Sequence, residues 1–115
     1  MLVDAMRVGI AGFGIVGRRR FEHINEHQDL QTVAVCDRVF DGTGKLEDGT
    51  NYYDNYRAML DAENLDILFV CLTNNIAPEV TIAGLESNLH VFCEKPPGRD
   101  VRDIEKVMEV ESLYP

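Results

Sequence analysis

Three glycines near the amino terminus, Gly12, Gly14 and Gly17 in VGIAGFGIVGRRR (Val8 to Arg20), are spaced G-x-G-x-x-G. In such a turn the first glycine permits a tight strand-to-helix reversal. The second lets the backbone approach a pyrophosphate, and the third lets the helix pack closely on the strand. A helix beginning near Gly14 aims its free N–H groups and the positive end of its dipole at the phosphates. The spacing alone is weak evidence, and its meaning depends on a strand before it, a helix after it and an acidic residue closing a second strand about 20 residues on. The sequence supplies all three.

The acidic residue is Asp37, in CDR at Cys36 to Arg38. A carboxylate there can accept both hydroxyls of an adenosine ribose and would repel a 2′-phosphate, which favours NAD. Arg38 can stack on adenine or meet a 2′-phosphate, which keeps NADP as an alternative. Arg18, Arg19 and Arg20 point about 100° apart around a helix and cannot form one phosphate clamp, so they read as solvated or salt-bridged, with one of them approaching the cofactor or a partner domain as the alternative. A second constellation is LHVFCEKPP, from Leu89 to Pro97, a strand stopped by two prolines. Glu94 and Lys95 then stand at its carboxyl end, the edge where open α/β sheets bind ligands, and Thr73-Asn74-Asn75 leaves the preceding strand on that edge. A lysine held there can donate to a substrate oxygen or help a proton leave it.

The elements that must position these groups follow from the apolar pattern. Short runs without alternation, Val8 to Ala11, Thr32 to Cys36, Ile67 to Leu72 and Leu89 to Cys93, read as parallel strands covered on both faces, with a short strand near Thr50 to Tyr52. Between them lie helical patterns. Val16, Arg20 and Ile24, with Phe21 alongside, follow the glycines. Tyr56, Met59 and Leu60 mark a second helix, Glu79 to Ser87 a third behind Pro78, and Asp100 to Leu113 a fourth with Asp100 as N-cap. Asp41 to Gly49, with three glycines and no apolar period, reads as a loop where a helix would be usual. The pattern gives an α/β fold, a Rossmann-type parallel sheet with helices on both faces, in one domain over residues 1–115.

Composition excludes several partners. The net charge of −9 argues against nucleic acid, and the longest apolar run is far short of the roughly 20 residues that span a bilayer. No signal-peptide pattern opens the chain, so a cytoplasmic location is expected. Cys36, Cys71 and Cys93 each lie in an apolar run and read as buried, reduced thiols. His23-Ile24-Asn25-Glu26-His27 satisfies H-x-x-E-H, but it falls on the polar far end of its helix and lacks a third ligand, so no metal site is assigned.

The glycine turn, CDR at Cys36 to Arg38, DILFVCLT at Asp66 to Thr73, and EVTIAGLES leading into HVFCEKP together resemble the Gfo/Idh/MocA family of NAD(P)-dependent oxidoreductases across essentially the whole chain. The E-K-P ending is the most specific part. The resemblance implies the amino-terminal Rossmann domain, with Lys95 near the nicotinamide and the reacting carbinol. It implies hydride transfer between NAD(P) and a sugar, nucleotide sugar, cyclitol or related polyol. It also implies a second domain beyond Pro115 that completes the substrate pocket and forms a homo-oligomer interface, so that this chain alone is half an enzyme. A stand-alone dinucleotide-binding or NAD-sensing module is the alternative. The candidate cofactor-binding residues are Gly12, Phe13, Gly14, Ile15, Val16, Asp37, Arg38, Leu72, Thr73, Asn74, Asn75, Glu94 and Lys95, and Lys95 is the catalytic candidate. Where the family often reads T-P-N followed by histidine, this chain has Thr73-Asn74-Asn75-Ile76-Ala77.

Overall fold

The computed structural model describes residues 5–114. In chain order these form β1 (Met6–Ala11), α1 (Ile15–Asn25), β2 (Leu30–Cys36), β3 (Gly44–Lys45), β4 (Asn51–Tyr53), α2 (Tyr56–Ala62), β5 (Ile67–Val70), α3 (Ala77–Glu86), β6 (His90–Cys93) and α4 (Val101–Leu113). The strands make one sheet in the order β3-β4-β2-β1-β5-β6. β1 pairs in parallel with both β2 and β5, β2 with β4, and β5 with β6. The expected α/β doubly wound sheet is therefore present, and its order reverses direction on the two sides of β1.

Alternation along the strands divides the core in two. Ala11, Ala34, Cys36, Leu68 and Val70 face Met59 of α2 and Ala77 and Val80 of α3. Val8, Ile10 and Val35 face Phe13 and Ile24, with Phe21, Phe40 and Leu46 packed against them. Helices thus cover both faces. Ile10, Leu68, Val8, Val35, Val70 and Val80 are fully buried, and each contributes about 1.5–3 kcal/mol by leaving water. Two helices carry side-chain caps at their starts: Asn55 Oδ1 accepts from Ala58 N–H at 2.9 Å, and Asp100 Oδ1 from Asp103 N–H at 3.1 Å.

Several details differ from the sequence reading. The stretch from Asp41 to Gly49 is not wholly loop: Gly44 and Lys45 form β3, antiparallel to β4, so the sheet has one antiparallel edge. The reason is a tight hairpin in which Leu46 N–H donates to Thr50 O at 2.7 Å and Asp48 Oδ1 accepts from Thr50 N–H at 2.9 Å. β5 ends at Val70 rather than Leu72, leaving Cys71 and Leu72 as the start of the following turn. On α1 the buried positions are Gly17 and Ile24, with Phe21 half-buried, whereas Val16 is 42% exposed. Val16 sits at the helix start, past the edge of the sheet that would cover it. Only Cys36 of the three free cysteines is fully buried; Cys71 and Cys93 are half-buried. α1 ends at Asn25, so His27 lies beyond it and does not share a helix face with His23.

Candidate dinucleotide site

The glycine turn joins the carboxyl end of β1 to α1, at the point where the strand order reverses. Gly12 has φ +96°, a left-handed conformation that side chains rarely adopt. Its N–H donates to Cys36 O at 2.8 Å, tying the turn to β2. A Cβ on Gly12 would lie 2.3 Å from Cys71 O, and one on Gly17 would lie 1.9 Å from Gly12 O. Both glycines are therefore demanded by the protein's own packing. Gly14 is different. It is the N-cap of α1, its φ of −83° is ordinary, and a Cβ there would meet nothing within 4 Å. No side chain caps the helix start at Gly14. The space in front of it is thus kept clear beside backbone N–H groups and the positive helix end, the shape an anionic pyrophosphate needs.

Asp37 is built into the same turn. Its Oδ2 accepts from Phe13 N–H at 2.7 Å and its Oδ1 from Val39 N–H at 3.0 Å. Each carboxylate oxygen has a second lone pair, so both remain able to accept from ribose hydroxyls. Ile15 is 80% exposed, Val16 42% and Val39 75%. Ile15 and Val16 follow Gly14 directly, and Val39 is tied by its N–H to Asp37; Val39 was missed by the sequence reading because it lies in no periodic element. Arg38 is exposed beside Asp37. Arg18 lies over the Phe13 ring, 4.5 Å from its centroid, which holds it against the turn's outer side.

Leu72, Thr73, Asn74 and Asn75 leave β5 on this edge. Leu72 packs toward Gly12, its Cδ2 2.9 Å from where a Cβ would stand. Thr73 O accepts from Ile76 and Ala77 N–H groups at 3.1 and 3.0 Å, and Thr73 Oγ1 donates to Asn75 Oδ1 at 2.5 Å, so this stretch forms the turn into α3. At the end of β6, Arg20 Nε donates to Glu94 Oε2 at 2.5 Å, a contact absent from the sequence reading. The partnership raises the Arg20 guanidinium further above its ordinary range. Lys95 is exposed and precedes a cis peptide bond to Pro96. Burial pushes the Cys36 and Cys71 thiols up to about 12, so both are held as neutral thiols. Clefts of about 430 and 510 Å³ lie at the amino ends of β1 and β2 and beside the β3–β4 hairpin. Neither touches the glycine turn, and the strand-end geometry outweighs them as a guide to the site. Among the described residues, no three His, Cys, Asp or Glu side chains converge to hold a metal ion, and no helix is long and apolar enough to cross a membrane.

A parallel sheet switching direction at β1, a cleared glycine turn and a strand-end aspartate define a dinucleotide-binding domain of the Rossmann class. The sequence model of the Gfo/Idh/MocA group, described as an oxidoreductase family with an NAD-binding Rossmann fold, matches residues 6–112. The chain belongs to this family, and its fold is the family's NAD-binding Rossmann fold. It is 27% identical over 111 residues to an inositol 2-dehydrogenase of Salmonella typhimurium, covering 92% of this chain and 33% of that protein. It is 35% identical over 101 residues to a D-glucoside 3-dehydrogenase of Escherichia coli, covering 84% of this chain and 29% of that protein. Among solved structures, myo-inositol 2-dehydrogenase from Lactobacillus plantarum superposes with a TM-score of 0.81 at 29% identity, over 96% of this chain and 34% of that one. The chain therefore spans about a third of the length of the relatives it matches.

Proposed function

We propose that the chain supplies the cofactor half of an oxidoreductase acting on the carbinol of a sugar, nucleotide sugar or cyclitol. The observation that carries this reading is the cleared space at Gly14 beside Asp37, on the same sheet edge as Lys95. Gly12 to Val16 would hold the pyrophosphate through backbone N–H groups, Asp37 the adenosine ribose, and Arg38 with Val39 the adenine side. Leu72 to Asn75 and Glu94 would line the path toward the nicotinamide. When bound, NAD supplies the hydride acceptor. Lys95, on a strand end stopped by two prolines, would donate to the carbinol oxygen and steady the charge that develops there. The inositol and glucoside dehydrogenases among the relatives support polyols as the substrate class. The remaining substrate contacts, and assembly into a homo-oligomer, belong in this reading to polypeptide outside the chain.

A stand-alone dinucleotide-binding module is the second reading, favoured by one observation: among the described residues Lys95 makes no ion pair. Two measurements follow, the first on the cofactor site itself and the second on the choice between the readings. Titration of this chain should show NAD bound more tightly than NADP, because the Asp37 carboxylate disfavours a 2′-phosphate; tighter NADP binding would put Arg38 in charge instead. In the complete gene product, Lys95→Met should leave NAD affinity unchanged and lower polyol turnover by roughly 10²-fold or more. Unchanged turnover would make Lys95 a bystander, and a gene product without turnover would favour the binding module.

A further inference from the structure

Arg20 is the arginine of the Arg18 to Arg20 run that crosses the sheet. Its Nε meets Glu94 Oε2 at 2.5 Å, 74 residues away, and its guanidinium lies 5.5 Å from the Phe92 ring centroid. The pair is partly sheltered, with 36% of the Arg20 side chain and 20% of the Glu94 side chain exposed. Such shelter reduces screening by salt relative to a fully exposed pair.

β6 needs this tether. It is an outer strand bonded on one side, to β5, and its last sheet bond runs from Glu94 N–H to Val70 O at 2.9 Å. Beyond that bond Lys95 stands exposed. α1 packs on the sheet face where the Phe69 and Phe92 rings meet at a 33° tilt with centroids 5.1 Å apart, and Glu94 is the side chain at the end of β6 that this helix holds.

We propose that Arg20 is a positioning residue: by holding Glu94 it fixes where Lys95 stands relative to the phosphate cradle at the start of the same helix. The inference rests on the reading of Lys95 given above and adds the group that places it. Gly14 and Arg20 are separated by about 9 Å of rigid helix at 1.5 Å per residue. The phosphates and the lysine are thus referenced to one rod, and misplacing a reacting group by about 1 Å can cost roughly 10²-fold in rate.

The test uses this chain and reads Lys95 directly, by mass spectrometry of its acylation with a trace amine reagent. NADH carries the nicotinamide and ADP-ribose lacks it. With wild type, NADH should slow acylation of Lys95 several-fold and ADP-ribose should not. Arg20→Met, which keeps a long apolar side chain but loses the charge, should bind ADP-ribose within about twofold of wild type while most of the NADH protection disappears. Arg20→Lys should recover part of it, and Arg20→Glu combined with Glu94→Arg should recover more than either single change, which also covers a single variant that fails to fold. In the complete gene product, Arg20→Met should lower kcat roughly 10- to 100-fold with KM for NAD unchanged. Full protection in Arg20→Met, or ADP-ribose affinity falling in parallel with protection, would overturn the proposal. If wild type binds ADP-ribose but NADH leaves Lys95 unprotected, the placement of Lys95 is wrong and the inference falls with it. If neither nucleotide binds, the dinucleotide reading itself fails first.

Discussion

At the glycine turn Gly12, Phe13 and Gly17 are buried and backbone packs on backbone, whereas at the end of β6 Phe92 is 47% exposed and Lys95 stands in solvent. Both regions sit on the carboxyl edge of one sheet. The first is over-determined: Gly12 bonds β2, touches the carbonyl of Cys71 and receives the α1 backbone at Gly17, and Asp37 bonds Phe13. The second depends on a four-residue pairing with β5 and on Arg20 holding Glu94. The difference teaches that the glycine turn is fixed by many backbone contacts, while the end of β6 is held by its pairing with β5 and one side-chain contact across the sheet.

Changes at the turn should therefore be the most damaging. Gly17→Ala would place a methyl 1.9 Å from Gly12 O, and it should cost about 3 kcal/mol or more of stability, or prevent folding, as read by urea denaturation. Gly14→Val separates binding from folding. Its Cβ meets nothing, so the urea midpoint should stay near wild type while NAD binding by calorimetry is lost, because the side chain occupies the pyrophosphate's approach. A binding-competent Gly14→Val would remove the turn from the site. Asp37→Asn should weaken NAD by roughly 10- to 100-fold, the scale of a charge-assisted hydrogen bond. It should also narrow the preference over NADP; an unaltered ratio would show that the carboxylate does not discriminate. The smallest effect is expected behind β6. Asp100→Ala removes the cap of α4, and it should cost about 1 kcal/mol while leaving NAD affinity as it was. A fall in NAD affinity there would mean that the two regions are coupled more tightly than the ion pair implies.

The contrast also explains which parts could be read from the sequence. Gly12, Gly14, Gly17 and Asp37 were legible because a backbone turn writes its demands locally, as glycines at fixed spacing with an acid closing the next strand. Parallel pairing followed from the alternation of strands and helices, and Asp100 and Pro78 were found at the helix starts where their chemistry suits them. Val16 fits the helical spacing yet is 42% exposed, because apolar periodicity does not tell where along a helix the covering sheet ends. β3 escaped because two residues held by a hairpin turn carry no hydrophobic period. The Arg20 to Glu94 contact could not be found from spacing at all, since it joins a helix to a strand 74 residues later. One signal existed in hindsight: Arg20 lies one helical turn beyond Gly17, the residue that presses α1 onto the sheet.

The central place of β1 also has a consequence in time. Its partner β2 lies 24 residues on, Met6 against Leu30, and its partner β5 lies 59 residues on, Val8 against Ile67. Closing the longer loop costs about 0.8 kcal/mol more in chain entropy, so β1, α1 and β2 are favoured to assemble before β5 docks. The carbonyl of Cys71 that walls Gly12 arrives with β5. During refolding, the capacity to bind a dinucleotide should thus emerge only after β1, α1 and β2 have assembled, with the docking of β5.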